Sequence, residues 1–323
     1  MPCKSAPTFE VTSMPTLSTY TAIVTGGNSG VGYETALNLA LHGARVYIAS
    51  RSSERVRDAI NKMKSSHGGQ TLDLHYLHLD LMSLKSVKAA ADEFMSKETK
   101  LDLLFNNAGV MAIPYQVTED GFDAQLQVNG LAHHLLTLYL LPVLRAAVTA
   151  NHPPNHRVRV IFVSSNAAFL VKSISYSDPN MSQTAGWSAN WKRYANSKLT
   201  CILLAHALHT HFYSSFSIAF YAVHPGIIKT NLQTGDPTFL GMLVRASMHL
   251  PGPVSPLEGA KNSLFCATSP DAVLLSGKYL EPVGKVVGSA DKFFNDPEEM
   301  NKVWGWANGM LTERGFEIKE FMG

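Results

Sequence analysis

A tyrosine and a lysine stand four positions apart, at Tyr194 and Lys198, in a stretch whose composition predicts a helix over residues 191–210. On a helix this spacing places both side chains on one face, about one turn apart. A phenol with a pKa of about 10 is a poor base at neutral pH, and a neighbouring ammonium ion favours its ionised form. The pair could therefore give a proton to an oxygen or take one from it, although the same spacing is common in ordinary amphipathic helices.

A glycine-rich turn, Thr-Gly-Gly-Asn-Ser-Gly-Val-Gly over residues 25–32, lies between a predicted β-strand and the start of a predicted helix. Its glycines permit a tight turn and a close approach of the backbone to a phosphate, and the free N–H groups of the helix start attract that charge. A glycine-rich loop without a ligand is the alternative, but the strand-turn-helix context favours a dinucleotide site. The residues predicted to contact the dinucleotide here are Gly26, Asn28, Ser29, Gly30, Val31 and Gly32.

The end of the second predicted strand indicates which dinucleotide is bound. It reads Ala49-Ser50-Arg51, with no carboxylate before Glu54. An acidic residue here would hydrogen-bond the 2'-hydroxyl of NAD and repel the 2'-phosphate of NADP, whereas a guanidinium suits a phosphate. Arg51 therefore favours NADP(H) as the cofactor, with a solvated surface arginine as the alternative.

The composition of the chain excludes several classes of protein. With 27 basic and 25 acidic residues and a formal net charge of +2, it has no basic stripe for nucleic acid and no polybasic tail for anionic lipid. The three cysteines, Cys3, Cys201 and Cys266, lack metal-ligand spacing and fit a reducing compartment, so we expect a cytoplasmic protein without a metal. The most apolar run, residues 135–144, is about half as long as a membrane-spanning helix, so no membrane span is expected.

Short β-branched runs alternate with amphipathic stretches of helical length from residue 21 onward, a pattern typical of a parallel sheet with helices on both faces. The predicted fold class is therefore α/β, a single doubly wound Rossmann-type domain. Strands are predicted over residues 21–25, 45–49, 72–79, 101–105, 158–163, 218–223 and 278–281. Helices are predicted to start near Val31, Ser53, Ser83, Asp123, Trp191 and Ser255.

The predicted domain spans residues 21–290, after an N-terminal arm, residues 1–20, and before an extension packed on it, residues 291–323. Two connections, residues 166–193 and residues 231–256, are longer than such a fold requires. Both follow the carboxyl ends of predicted strands, where open α/β sheets bind ligands. We expect the second connection to form a lid over a substrate, with a core-packed surface helix as the alternative.

The spacing GxxxGxG differs from the GxGxxG of most dinucleotide folds and resembles the short-chain dehydrogenase/reductase family, which carries TGxxxGxG at this place. Further motifs of that family follow in order: Asp80, Asn106-Asn107-Ala108-Gly109, Asn129, Ser165, Tyr194 to Lys198, and Pro225-Gly226 to Thr230. The start TGGNSGVGYETA, the YANSKL stretch and the 29 positions between Ser165 and Tyr194 are similar to the retinol dehydrogenase and WW-domain oxidoreductase-like branch. The ordered set is more specific than any one motif.

The resemblance implies which residues hold the cofactor. Asp80 would bind the adenine amino group, although it could instead cap the following helix, as Ser83 could. The backbone next to the adenine ribose would be that of Asn107, Ala108 and Gly109.

Near the nicotinamide, the resemblance places a turn of the chain at Pro225 and Gly226, unless this is a plain strand-to-loop turn. The Ile228 backbone and the Thr230 hydroxyl would then lie near the carboxamide. Lys198 would contact the nicotinamide ribose, and Tyr194 would lie beside it.

The resemblance also implies a catalytic set of four residues: Asn129, Ser165, Tyr194 and Lys198. Ser165 would hydrogen-bond the substrate oxygen and stabilise developing negative charge, with its neighbour Ser164 as the competitor. Asn129 would position a water on the lysine and complete a proton relay; a structural amide that caps a helix start is the alternative reading.

The function implied is an NADP(H)-dependent oxidoreductase acting on the carbonyl or alcohol of an apolar, fairly bulky small molecule, retinoid-, steroid- or polyketide-like. One alternative is a cofactor-sensing regulatory protein of the same fold, which would not need a proton relay. A second is a sugar-nucleotide epimerase, which would carry GxxGxxG in the turn. Trp187 and Trp191 could line the substrate pocket or pin the long connection around them.

The helix predicted after Asp123 is apolar around much of its circumference over residues 131–144, which indicates a second packing partner. The resemblance implies a possible homodimer through this helix and the one after Trp191, although the C-terminal extension could cover the same surface. His133 and His134 on this helix are expected to pack and not to bind a metal, because no carboxylate or cysteine stands at ligand spacing.

Overall fold

One β-sheet of eight strands organises the protein, as seen in a computed structural model that describes residues 9–150, 158–186, 188–228, 254–290 and 297–318. The strands are β1 (Thr21–Thr25), β2 (Arg45–Ser50), β3 (Leu74–His78), β4 (Leu103–Asn106), β5 (Arg159–Val163), β6 (Ala219–Val223), β7 (Tyr279–Glu281) and β8 (Lys285–Val286).

Across the sheet the strand order is β3-β2-β1-β4-β5-β6-β7-β8. Every neighbouring pair from β3 to β7 is parallel, and only β7 and β8 pair antiparallel. Strands β1, β5 and β6 are buried at every position, as expected of parallel strands covered on both faces. The predicted doubly wound α/β fold is confirmed. Strand β8 was not predicted, because its two exposed residues carry no hydrophobic pattern.

Eight helices cover the sheet in the described part of the chain: α1 (Gly30–Leu41), α2 (Ser53–Ser66), α3 (Leu84–Lys97), α4 (Ala124–Tyr139), α5 (Leu141–Ala150), α6 (Ala189–Phe216), α7 (Pro256–Thr268) and α8 (Pro297–Thr312). One hydrophobic core packs α3, α4, α5, α6 and α8 on one face of the sheet, and a second packs α1, α2 and α7 on the other. Strand β4 begins two residues later than predicted, since the Leu101 N–H bonds to the Val143 carbonyl of α5 and not to a strand.

Helix α4 is buried from Ala124 to Leu138 by its own chain. Part of the cover comes from α8, where Nε2 of His134 donates to Oδ1 of Asn308 at 2.9 Å and the Trp304 ring meets the His134 ring edge to face at 5.5 Å. The second packing partner that the sequence indicated is therefore present within the chain. A homodimer through α4 would require α8 to leave this face.

Several expectations fall on residues outside the described ranges: Thr230, Trp187 and most of the expected lid, residues 231–253. Among the described helices, none is long and apolar enough by itself to cross a membrane, although the bent pair α4 and α5 would be by length and composition alone. No group of three His, Cys, Asp or Glu side chains in the described ranges could hold a metal ion.

Candidate active site

Four turns with predicted site residues leave the sheet at the same edge. Because the strands are parallel, the carboxyl ends of β1, β4, β5 and β6 all point there. These ends lead into the glycine turn, the segment from Asn107 to Gly109, Ser165, and the segment from Pro225 to Gly226. Strand order reverses between β1 and β4, so a crevice opens at this edge, which is where doubly wound sheets bind nucleotides.

The glycine turn has the backbone geometry that a pyrophosphate needs. Gly26 and Gly30 have φ angles of +66° and +56°, in the left-handed region that favours glycine. A Cβ atom on Gly32 would lie 2.5 Å from the Gly26 carbonyl oxygen, so only glycine fits there. A Cβ atom on Gly30 would meet nothing within 4 Å, and the Ser29 side chain does not cap the first N–H groups of α1. The turn therefore presents open space and unpaired donors to an anion, and a dinucleotide phosphate fits.

An open cleft of about 550 Å³ borders this turn. Its charged lining is mixed, with Arg55 and Lys62 of α2 beside Glu34 and Asp58, and the turn contributes Asn28, Ser29 and Gly30. Arg51 lies exposed directly after β2 and forms no ion pair with a described residue, so its guanidinium is available to a ligand.

Asp80 does not cap the helix that follows it. Its Oδ1 accepts the N–H of Met82 at 3.0 Å, which closes a local turn after β3. The cap position of α3 is Ser83, whose side chain makes no capping bond, and Oδ2 of Asp120 accepts the Leu84 N–H at 2.9 Å instead. The alternative reading of Asp80 as a helix cap is therefore wrong.

Thr25 joins the cofactor turn to the segment after β4, a role that sequence reasoning missed. Its Oγ1 accepts the backbone N–H groups of Asn107 and Ala108, both at 2.9 Å, and its carbonyl accepts Nδ2 of Asn107 at 2.8 Å. Gly109 follows, where a Cβ atom would lie 3.0 Å from Oδ1 of Asn129 and 3.3 Å from Nζ of Lys198. The absence of a side chain at Gly109 lets the catalytic candidates approach this turn.

Asn129 lies inside helix α4 and not at its start. Asp123 caps that helix through its side chain, whereas Asn129 sits in a π-helical turn, Gln127–Leu131. The Asn129 side chain pairs with both backbone groups of Val110 at 2.9 Å and donates to Oγ of Ser197 at 2.8 Å. Asn129 therefore fixes the position of α6 relative to the β4 turn, and the reading as a helix cap is wrong.

His133, expected only to pack, connects Asn129 to the cofactor turn. Its ring is fully buried, and burial lowers its pKa to about 3, so it is neutral. Nδ1 donates to the Asn129 carbonyl at 3.2 Å, which leaves Nε2 to accept the Thr25 hydroxyl proton at 2.9 Å. Sγ of Cys201 also donates to the Asn129 carbonyl, at 3.0 Å. The available sequence signal was a histidine in an apolar stretch, four positions after the site residue Asn129.

The α6 helix holds Tyr194 and Lys198 against the end of β5. Nζ of Lys198 donates to the Val163 carbonyl at 2.8 Å, and the ammonium lies 5.8 Å from the centre of the Tyr194 ring. Ser164 has a structural role, because its hydroxyl donates to the Lys198 carbonyl at 2.7 Å. Ser165 instead hydrogen-bonds the Tyr194 hydroxyl, which favours it over Ser164 as the residue beside a substrate oxygen.

Burial dominates the ionisation of this pair. It raises the pKa of Tyr194 well above its usual range, and the hydrogen bond from Ser165 offsets only part of that rise. Burial also lowers the pKa of Lys198. The sequence-based expectation that Lys198 would lower the pKa of Tyr194 is wrong for this structure, in which the phenol stays protonated at neutral pH.

The remaining predicted cofactor residues lie where β6 ends. Gly226 has a φ of +86°, and Ile228 forms an isolated bridge with Val254, just before α7. A Cβ atom on Gly259 of α7 would collide with the Ile228 side chain and crowd that of Val31, so these groups pack where a glycine leaves room. The turn after β6 and the turn after β1 thus meet on α7.

A small apolar cluster surrounds the Tyr194 ring. Trp191 packs edge to face against it at 5.6 Å, and Ala112 completes the buried centre of the cluster. Met111 and Ala167 pack against the outside. Of the two tryptophans in doubt, Trp191 therefore contacts the site, and Trp187 lies outside the described residues. The surroundings of the Tyr194 ring are therefore apolar, with side chains from the connections after β4 and β5.

The fold and this edge define the class of the protein as a nucleotide-binding α/β protein of the doubly wound type. The short chain dehydrogenase family profile matches residues 20–177. A short-chain dehydrogenase/reductase of Aspergillus calidoustus, drtF, is 41% identical over 314 residues, covering 94% of this chain and 96% of the relative. Human retinol dehydrogenase 13 is 34% identical, covering 95% and 89%.

Among solved structures, the RhlG/NADP active-site complex of Pseudomonas aeruginosa is similar, with a TM-score of 0.63 and 25% identity over 83% of this chain and 96% of that one. The chain belongs to the short-chain dehydrogenase/reductase family, in its retinol dehydrogenase-like branch. It is thus an oxidoreductase of a family that binds a nicotinamide cofactor and acts on small molecules.

The contacts of His133 predict that His133→Phe, which keeps an aromatic ring and removes both hydrogen bonds, lowers turnover by roughly 10-fold or more, since displaced catalytic groups lose activity steeply. His134→Phe is the matched control, because His134 is equally buried but contacts α8 and no candidate catalytic residue. Denaturant unfolding and steady-state turnover of both variants make the comparison. Equal turnover in the two variants would show that His133 only packs.

Proposed function

We propose that this chain is an NADP(H)-dependent oxidoreductase that moves a hydride between nicotinamide and the carbonyl or alcohol of an apolar, fairly bulky small molecule. The observation that carries the proposal is the meeting of Ser165, Tyr194, Lys198 and Asn129 at one edge of the sheet, beside the glycine turn. When bound, the nicotinamide supplies the hydride in reduction and accepts it in oxidation. The chain's own residues must bind the substrate oxygen and handle its proton.

In carbonyl reduction, Tyr194 is the proton donor. Its hydroxyl is protonated at neutral pH because burial raises the pKa, so it can give its proton to the oxygen as negative charge develops there. Ser165 is held by the Ala167 N–H, which donates to its Oγ at 3.2 Å, and it stabilises the same oxygen by a hydrogen bond. In alcohol oxidation the proton moves in the opposite direction.

Lys198 and Asn129 keep the donor in place and resupply it. The Lys198 ammonium is anchored to the Val163 carbonyl, from where we propose that it holds the nicotinamide ribose. The Asn129 amide joins the β4 turn to α6 through Val110 and Ser197. The Asn129 carbonyl accepts bonds from His133 and Cys201. We propose that Asn129 positions a water, and that this water passes a proton back toward Lys198.

The choice of NADP(H) rests on charge at the end of β2. Arg51 is exposed and has no ion pair with a described residue, and no acidic side chain stands before Glu54 to repel a 2'-phosphate. The RhlG complex, a structural relative, is titled as a complex with NADP. We propose that Asp80 and the backbone of Asn107 to Gly109 hold the adenosine half. Pro225, Gly226, Ile228 and Thr230 hold the nicotinamide half.

The substrate class rests on the apolar surroundings of Tyr194. Met111, Ala112, Ala167 and Trp191 offer few polar partners to a ligand, so apolar groups next to the reacting carbonyl are favoured. Several relatives carry the name retinol dehydrogenase, after a bulky apolar alcohol. The lid proposed over residues 231–256 would close on the same space.

Tyr194→Phe is expected to leave the fold and NADPH affinity nearly unchanged and to lower turnover by roughly 100-fold or more, the scale of lost general acid catalysis. The measurement is NADPH absorbance during reduction of a panel of aldehydes and ketones, beside NADPH titration by fluorescence.

Lys198→Ala serves as the comparison for Tyr194→Phe. It removes the proposed ribose contact as well, so both turnover and NADPH affinity should fall. Undiminished turnover in Tyr194→Phe contradicts the proposed mechanism.

The Arg51 guanidinium predicts that NADPH binds more tightly than NADH, and that Arg51→Asp reverses this order, because a carboxylate repels the 2'-phosphate and accepts the 2'-hydroxyl. Dissociation constants for both cofactors in the wild type and the variant test this. Arg57→Asp is the matched control, since Arg57 is also an exposed arginine of α2 but does not line the cleft or end β2. Equal affinities in the wild type contradict the assignment.

A further inference from the structure

Two loops flank Tyr194 at the carboxyl edge of the sheet. The β4 loop, residues 107–123, follows β4, and the β5 loop, residues 164–186, follows β5. Ala112 of the first loop belongs to the apolar cluster around Tyr194, and Met111 of the first and Ala167 of the second pack against that cluster. Whatever sets the separation of these loops therefore sets the space beside the proton donor.

The Arg193 side chain contacts both loops. Its Nη2 donates to the carbonyl oxygens of Met181 at 3.1 Å and Thr184 at 2.8 Å, both in the β5 loop. Its guanidinium carbon lies 4.3 Å above the centre of the Tyr115 ring in the β4 loop. Hydrogen bonds from a charged donor are stronger than those from a neutral one, and a cation is attracted to the face of an aromatic ring. This one side chain therefore links the two loops.

Arg193 is held in this place by burial. Only 5% of the residue is exposed, and the attraction of its charge favours the ionised form of Asp123, the cap of α4, against the opposing effect of burial. A guanidinium withdrawn from water in this way is costly unless its bonds are made. Its contacts with the two loops therefore resist separation.

The β5 loop also depends on an external contact for its shape. Met181 has a φ of +48°, a left-handed conformation that a methionine keeps only when its surroundings hold it. Its carbonyl is one of the two that Arg193 binds.

Asn180 makes a second contact between the two loops. Its Oδ1 accepts the Asp123 N–H at 2.6 Å, and its Nδ2 donates to the Gly121 carbonyl at 3.0 Å.

Arg193 immediately precedes Tyr194 in α6, and the two side chains point in different directions around the helix. The same rigid helix thus carries the proton donor on one side and the tie between the loops on another. We propose that Arg193 is a positioning residue that fixes the width of the space between the two loops and thereby selects substrates by bulk. This inference rests on the proposed carbonyl reduction.

The test compares Arg193→Met, which keeps the length of the side chain and removes the charge, with Arg193→Lys. Lys192→Met is the matched control, since Lys192 is adjacent, equally charged and exposed. NADPH-dependent reduction of a small aldehyde and of a bulky aromatic ketone gives KM and kcat for each. Hydrogen exchange of peptides over residues 110–118 and 176–186 reports on the loops themselves.

We expect Arg193→Met to change kcat/KM for the bulky ketone by about 10-fold or more, mostly through KM, with the small aldehyde and NADPH within about twofold. Exchange should become faster in both loops, Arg193→Lys should be intermediate, and Lys192→Met should match the wild type. An equal change for both substrates, or unchanged exchange in both loops, overturns the proposal.

Two further results distinguish a failure of the proposed function from a failure of the proposal for Arg193. If the wild type reduces no carbonyl compound with NADPH, the proposed function fails, and the exchange measurement still decides whether Arg193 ties the loops. If Arg193→Met does not fold, Tyr115→Leu replaces it. Tyr115 is 40% exposed, and its loss removes only the contact with the β4 loop. A ketone-specific change in KM supports the proposal, and unchanged kinetics overturn it.

Discussion

This edge of the molecule depends on one constraint: a phenol and an ammonium group are both withdrawn from water. They lie on one helix, α6, which packs against the end of the sheet. Tyr194 and Lys198 are 7% and 5% exposed, and burial opposes the charged form of each. A buried ammonium needs hydrogen-bond partners, and the carbonyl at the end of β5 supplies one. The position of Lys198, and with it the register of α6, therefore follows from the position of β5.

The contacts around this pair form a continuous chain back to the cofactor turn. Asn129 joins α6 to the segment after β4, His133 joins Asn129 to Thr25, and Thr25 receives the backbone of Asn107 and Ala108. Helix α4 departs from α-helical geometry in the π-helical turn Gln127–Leu131, which contains Asn129. Because these contacts share their donors and acceptors, a change in one residue is expected to affect the others.

Local patterns were enough to predict the framework of the fold. Buried β-branched runs gave the parallel strands, and the positions of Gly26, Gly30 and Gly32 gave the phosphate turn, because these depend on backbone conformation alone. The pKa direction of Tyr194 could not be predicted in the same way. It depends on how much water the tertiary structure removes from the Tyr194 hydroxyl, and the hydrogen bond with Ser165 offsets only part of that effect. The roles of His133 and Arg193 arise between segments far apart in sequence.

In the proposed mechanism, burial keeps Tyr194 in its proton-donating form. The most direct measurement is the pH dependence of the single-turnover rate of carbonyl reduction by NADPH, followed by stopped-flow absorbance. Because the raised pKa of Tyr194 lies above that of an ordinary tyrosine, we expect a constant rate from about pH 6 to about pH 9, with loss only where a phenol ionises. A rate that falls with rising pH around a midpoint near neutrality would contradict it, since Tyr194 would then be ionised under working conditions.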